Sequence, residues 1–194
     1  MDTDLILGSI ARHIRLSDEE TRHFLTLLRH KTIEAGDYLL REGQICKEQY
    51  FVCRGCLKSF YTDSDGVDHL LDFSIEGWWA EDLHSMFTGT PSKTSIQAIE
   101  RTEVWVIDTD ALATIYRTLP QFERFFRLSF QNAYIAQRER IIANLSVPAE
   151  DRYTTFLARF PYAESRFLLK DVASYLGITP QFLSVIRRKK KAPN

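Results

Sequence analysis

The 194-residue chain is 44% hydrophobic and 26% charged, apolar enough to bury one sizeable core or two small ones and too apolar to stay disordered. Its longest stretch without a charged side chain, Val172 to Ile186, is interrupted by Gly177 and Pro180 and falls short of the roughly 18 apolar residues that a membrane span needs. The N-terminus, MDTDLILGSIARHIR, opens on acids where a secretory signal carries bases, so a cytoplasmic protein is expected. Three cysteines, Cys46, Cys53 and Cys56, are an odd number and too few for a disulfide framework. The Cys53-x-x-Cys56 spacing invites a metal, but no second cysteine pair or His-x-x-x-His follows to complete a closed zinc site. Strand thiols and no metal are therefore expected.

The formal net charge of -1 hides an asymmetry. From Val147 to Asn194 there are nine Lys/Arg against four Asp/Glu, and the preceding 146 residues carry a net -6. An acidic body with a basic end suggests that the C-terminal part meets a polyanion while the N-terminal part does something else.

In chain order, Ser17-Asp18-Glu19-Glu20 has the form of a capping box and predicts a helix over about 18–29, with Phe24, Leu25, Leu27 and Leu28 on one face. Gly36, Gly43, Gly55, Gly66 and Gly77 then punctuate the chain, the last three intervals being 12, 11 and 11 residues. This is the spacing of short strands separated by turns. Strand-like runs lie between them at 38–40, 50–53, 57–61 and 69–73, with two more at 94–99 and 103–107. Asp63-Ser64-Asp65-Gly66 reads as a hairpin turn, since Gly66 can supply the positive φ. An antiparallel barrel or jelly roll of about eight strands follows.

The run Ala35-Gly36-Asp37-Tyr38-Leu39-Leu40-Arg41-Glu42-Gly43, then Tyr50-Phe51-Val52 with Gly55-Cys56-Leu57-Lys58, then the Asp65-Gly66 turn, resembles the cyclic-nucleotide-binding β-roll of the Crp/Fnr family of bacterial transcription regulators. In ligand-binding relatives a phosphate cassette follows the roll. Gly-Glu and small residues open a short helix, and an arginine comes about ten residues later, before Ser/Thr-Ala. Backbone N–H groups and the arginine hold the phosphate, and the glutamate accepts from the ribose hydroxyl. The resemblance places that cassette at Trp79, Ala80, Glu81, Asp82, Leu83, Lys93 and Thr94, the candidate effector pocket. Glu81 is kept, but Ala80 stands for glycine, Asp82 adds negative charge, and no arginine occurs between Arg54 and Arg101. Lys93 cannot copy the planar guanidinium fork, so cyclic AMP binding in the usual manner is disfavoured and no cofactor is assigned. Trp78 and Trp79 could line an apolar pocket, but simple core is the favoured reading.

Asp108 or Thr109 can cap a short helix through Tyr116, and Pro120 suits the first turn of a second helix running to about Leu145. Phe122, Phe125, Phe126, Phe130, Ala133 and Tyr134, with Leu128, Ile135 and Ile142 at sevenfold spacing, give that rod more apolar surface than one face needs. One contact is expected with the β-roll and another with a second copy of the helix, as in dimers of the resembled family.

After Pro148 a further helix fits 149–160, stopped by Pro161. In the stretch 169–188, one helix ends at Leu176, Gly177 takes a left-handed turn, Thr179 caps the next helix and Pro180 is its first residue. Ala173, Leu176, Ile178, Leu183 and Ile186 sit where a helix-turn-helix keeps its internal contacts. The resemblance then implies that Pro180, Gln181, Ser184, Val185 and Arg188 face DNA bases, and that Lys170, Thr179, Arg187 and Lys189 face phosphates. Gln181 can read adenine, whereas Val185 stands where relatives often place arginine. With the sequence running to Asn194, no β-hairpin wing of the kind many relatives add after this helix is expected.

The fold class expected is α+β: an N-terminal double-stranded β-helix or jelly roll over 1–118, a long dimerisation helix over 119–146, and a winged-helix-like helix-turn-helix with no wing over 147–194. The expected function is a dimeric DNA-binding regulator with an effector-sensing roll. The alternative is a sensing or protein-interaction module that has lost DNA binding. DNA and a second copy are the expected partners, RNA polymerase a candidate, and a membrane none. A cupin-like metalloenzyme is disfavoured because His13, His23, His30, His69 and His84 include no His-x-His, and no hydrolase triad or phosphate loop stands out. A non-enzyme is expected.

Overall fold

The structure, a computed structural model, describes residues 3–191. Two short helices open the chain, α1 (Asp4–Ala11) and α2 (Asp18–Thr26). The capping box at α2 forms as expected: Glu20 N–H donates to Ser17 Oγ at 3.2 Å and Ser17 N–H donates to Glu20 Oε2 at 2.7 Å. Then come β1 (Arg29–Ile33), β2 (Tyr38–Leu40), β3 (Glu48–Arg54), β4 (Leu57–Thr62), β5 (Asp68–Ser74), β6 (Trp79–Ala80), α3 (Leu83–Thr88), β7 (Ser95–Ala98) and β8 (Thr102–Asp108). Helices complete the chain: α4 (Thr109–Thr118), α5 (Gln121–Ser146), α6 (Ala149–Arg159), α7 (Ala163–Arg166), α8 (Leu169–Tyr175) and α9 (Pro180–Lys191).

The strands form two four-stranded sheets, ordered β1-β8-β3-β6 and β2-β7-β4-β5. Inward residues of both sheets meet in one core: Ile33, Tyr50, Val52, Val104 and Val106 from the first, Leu40, Leu57, Ile96 and Ala98 from the second. The two-residue period of β3 sends Tyr50 and Val52 into that core and Phe51 to its other face. There Phe51 and Ile107 are covered by Ile6 and Ile10 of α1, Phe24 of α2, Leu112 and Ile115 of α4, and Phe122, Phe125 and Phe126 of α5. Phe24 stacks on Phe122 with ring centroids 4.6 Å apart. The roll is thus a jelly roll with a helical cap on one sheet. Gly55 joins β3 to β4 at φ +94, and a Cβ there would lie 2.7 Å from the Arg101 carbonyl, so glycine is required by both backbone and space.

The chain divides into two compact units. One comprises the residues up to Thr62 with Leu71–Gln131, and the other Asp63–Leu70 with the residues from Asn132 onward. In the second unit, Tyr153, Phe156, Phe160, Phe167 and Tyr175 form an aromatic core among α6, α7 and α8. The β4–β5 hairpin tip belongs to this unit: Ser174 Oγ accepts from Leu70 N–H at 2.8 Å and donates to the Asp68 carbonyl at 3.2 Å. Among the described residues, no helix is long and apolar enough to cross a membrane.

Candidate functional site

The α8–turn–α9 segment is built as its sequence dictates. Gly177 has φ +65, and the turn is closed by Gly177 N–H to the Ser174 carbonyl at 3.0 Å and Ile178 N–H to the Ala173 carbonyl at 3.0 Å. Thr179 Oγ1 accepts from Phe182 N–H at 3.2 Å, the N-cap of α9. Val172, Ala173, Leu176, Leu183 and Ile186 are buried and lock the two helices together. The opposite face of α9 is left to solvent. Pro180, Gln181, Val185 and Arg188 are exposed there, and Ser184 is half-buried with its hydroxyl donating to the Pro180 carbonyl at 3.0 Å. The positions 180, 181, 184, 185 and 188 lie on one helical stripe.

In the roll, Asp82 caps α3 and organises the cassette. Its Oδ1 accepts from Ser85 N–H at 3.1 Å, and its Oδ2 accepts from the Ser92 hydroxyl at 2.5 Å and the Thr94 hydroxyl at 3.5 Å. Ser85 in turn donates to the Thr90 carbonyl at 2.6 Å and accepts from Cys46 N–H at 2.9 Å. A carboxylate thus already takes the donors that this loop offers to an anion. Lys93 is exposed and makes no hydrogen bond or ion pair with the other described residues. Glu81 keeps Oε2 buried with no hydrogen-bond partner among the described residues, and burial pushes its carboxyl up to about 7. Burial likewise raises the Cys46 thiol, with Asp82 and Glu81 adding to the effect against lowering hydrogen bonds from the backbone of Asp82 and Glu48. Ala80 is buried opposite Tyr50, and Leu83 is half-buried at the start of α3. Trp79 packs among Phe51, Phe125 and Phe126, with ring centroids 5.2, 6.4 and 5.7 Å away, so this ring is core rather than the wall of an open pocket. The Cys53 and Cys56 thiols donate to the carbonyls of Phe51 and Leu57.

Residues 30–118 match the cyclic nucleotide-binding domain family. Electron transport regulator A of Shewanella oneidensis is 22% identical over 195 residues, an alignment covering 93% of this chain and 76% of that protein. The fumarate and nitrate reduction regulatory protein of Vibrio cholerae is 25% identical over 169 residues, covering 80% of this chain and 66% of that protein. Among solved structures, FixK2 from Bradyrhizobium japonicum superposes with a TM-score of 0.70 at 17% identity, over 84% of this chain and 83% of that one. Over most of its length the chain is similar to Crp/Fnr-type transcription regulators.

Within this chain the expected contact residues do not behave alike. Lys170, Thr179 and Arg188 are exposed. Lys189 reaches Glu150 Oε1 at 3.1 Å in an exposed ion pair, and Lys190 donates to Thr154 Oγ1 at 3.0 Å. Arg187, placed above on the phosphate side, is turned inward. Its side chain is 19% exposed, Nε donates to Tyr153 Oη at 3.0 Å, and the guanidinium lies 3.7 Å from Glu164 Oε1. The reason is periodicity, because residue 187 sits one turn beyond buried Leu183 and beside buried Ile186. Tyr153 Oη completes the cluster by donating to Glu164 Oε1 at 2.6 Å, and burial is the largest cause of its raised pKa. Phe182 went unnoticed in the sequence although it is 45% exposed beside Gln181 and Val185. An apolar side chain between two positions expected to face bases was the available signal.

Proposed function

We propose that this regulator acts as a homodimer that reads DNA through the exposed stripe of α9. The observation that carries the proposal is the capped helix-turn-helix whose outward face bears Pro180, Gln181, Ser184, Val185 and Arg188 while its inward face is fully packed. Gln181 supplies both a donor and an acceptor for an adenine edge. Val185 and Phe182 offer apolar contact to thymine methyl groups, which favours A·T pairs in the half-site. Lys170, Thr179 and Lys189 supply the phosphate contacts, and Arg188, at the edge of the stripe, reaches the flanking phosphate.

The dimer is assigned to α5. Tyr134 and Ile141, and Ile135 and Ile142, repeat at seven residues and with Leu145 are exposed along one stripe of its second half, as in a coiled-coil seam. Residues 1–118 then form the sensor, 119–146 the dimerisation helix and 147–194 the reading domain of a non-enzymatic, cytoplasmic protein.

The roll does not take a cyclic nucleotide in the family manner. A phosphodiester needs free donors and a cation, whereas here Asp82 holds Ser85 N–H and the Ser92 and Thr94 hydroxyls and brings its own negative charge. The test is a fluorescence-anisotropy titration of the full chain on random-sequence and selected duplexes at several salt concentrations. Binding that weakens linearly in log–log form with salt is expected. A dimer that ignores duplex DNA at low salt would instead favour a module that has lost DNA binding.

A further inference from the structure

The second unit contains a cavity of about 230 Å³ formed by the second half of α5 together with α6 and α8. Small residues of α5, Ala136 and Ala143, leave the space open, and Phe156 and Tyr175 line it with rings 5.3 Å apart. Its charged lining is three arginines, Arg140, Arg152 and Arg159, against one carboxylate, Glu139. All three cations are held, Arg159 with its guanidinium carbon 5.5 Å from the Phe160 ring centroid. Arg140 stacks on Tyr175 with its guanidinium carbon 4.8 Å from the ring centroid. Arg152 donates through Nη1 to the Val147 carbonyl and through Nη2 to the Leu176 carbonyl at 2.8 Å. Arg152 Nε, however, is buried with no acceptor among the described residues. Unsatisfied and closed to solvent, this charge adds to the positive potential that the three arginines set over the cavity.

From this we infer a binding site for a small aromatic monocarboxylate, separate from the roll. The volume exceeds the roughly 150 Å³ that holds a benzene ring by enough for one carboxyl group. The mostly apolar walls select a ring, and the excess of guanidinium selects a single planar anion over an amine or a neutral amide. Inorganic phosphate would leave the aromatic walls unused. Because Arg152 ties the cavity to Leu176 at the end of α8, an occupant bridges α5 and the helix-turn-helix. That consequence rests on the DNA-binding reading, whereas occupancy of the cavity does not.

The experiment uses the full chain, with 4-fluorobenzoate and its neutral counterpart 4-fluorobenzamide as probes, followed by fluorine NMR titration in the absence of DNA. Saturable binding of the acid is expected, with the amide weaker by about tenfold or more. Ala143→Leu fills the cavity and abolishes saturation, while Arg159→Gln weakens it. No saturation of the wild-type protein by the acid up to roughly 10 mM would overturn the inference, since no useful affinity would remain. Equal binding of acid and amide would overturn the anion assignment without reference to any variant. Unchanged binding by a folded Ala143→Leu protein would place the probe elsewhere. Duplex binding is measured separately, so failure of either result leaves the other readable.

Discussion

Arg187 and Arg188 are adjacent in sequence and about 100° apart around α9, the first turned inward and the second exposed, and substituting each in turn separates stability from DNA affinity. Arg187→Gln removes the charge-assisted bond to Tyr153 and the 3.7 Å approach to Glu164, at a side chain only 19% exposed. Hydrogen bonds to charged groups contribute about 1.5–3 kcal/mol. Glu164 is 42% exposed, which screens its share, so a loss of about 1–2 kcal/mol is expected. In a unit of this size such a loss lowers the melting temperature by roughly 5–10 °C. Arg188 is exposed and makes no ion pair with the other described residues, so Arg188→Gln leaves stability within about 0.5 kcal/mol. On the proposal that Arg188 meets a phosphate in each protomer, its loss lowers the slope of log affinity against log salt by roughly 0.9 per protomer. The assay pairs thermal unfolding with anisotropy titrations over a salt series. If Arg187→Gln flattened the salt slope as much as Arg188→Gln while melting like wild type, the inward placement of Arg187 would be refuted.

Three further outcomes follow from other parts of the molecule. Burial lifts the Glu81 carboxyl to about 7, so the folded state binds more protons than the unfolded chain between roughly pH 4.5 and 7 and stability falls as pH rises through that window; Glu81→Gln removes this fall and gains up to about 3 kcal/mol at pH 8, whereas identical pH profiles would refute the assignment. Gly55→Ala places a Cβ 2.6 Å from Thr102 Oγ1 and 2.7 Å from the Arg101 carbonyl at positive φ, and a loss of about 3 kcal/mol or more in denaturant unfolding is expected, with a loss below about 1 kcal/mol contradicting it. Ile142→Glu puts a charge on the exposed apolar stripe of α5 and converts the dimer to a monomer in analytical ultracentrifugation without lowering secondary structure; a dimer unaffected by it would move the interface elsewhere.

The strongest local signals in the sequence were those in which one residue type satisfies one backbone need. Ser17 and Glu20 announced α2, Asp108 announced α4 through its bond to Ala111 N–H, and Gly177 with Thr179 and Pro180 announced the α8–turn–α9 unit. The missed elements lack such signals. β1 is Arg-His-Lys-Thr-Ile, with only Ile33 buried, so its pairing with β8 comes from tertiary context rather than alternation. β6 is two residues long and α7 four, too short to show a period. α1 was read only as a poor signal sequence, although Ile6 and Ile10 were already spaced for one buried face. At the site, the acidic character of Asp82 was legible, but its bond to Ser92, ten residues away, depends on how the loop after α3 closes. The direction of Arg187 was recoverable, because the period that buries Leu183 also turns residue 187 inward.

DNase I footprinting of the full chain on a duplex selected by repeated rounds of binding addresses the DNA-reading dimer most directly. Two protected patches on one face of the duplex, centred one helical turn (about 10–10.5 base pairs) or a multiple of it apart, with a twofold-related sequence rich in A·T pairs, are predicted. A single asymmetric patch would contradict the dimer, and no protection at roughly 50 mM salt would contradict DNA reading by α9.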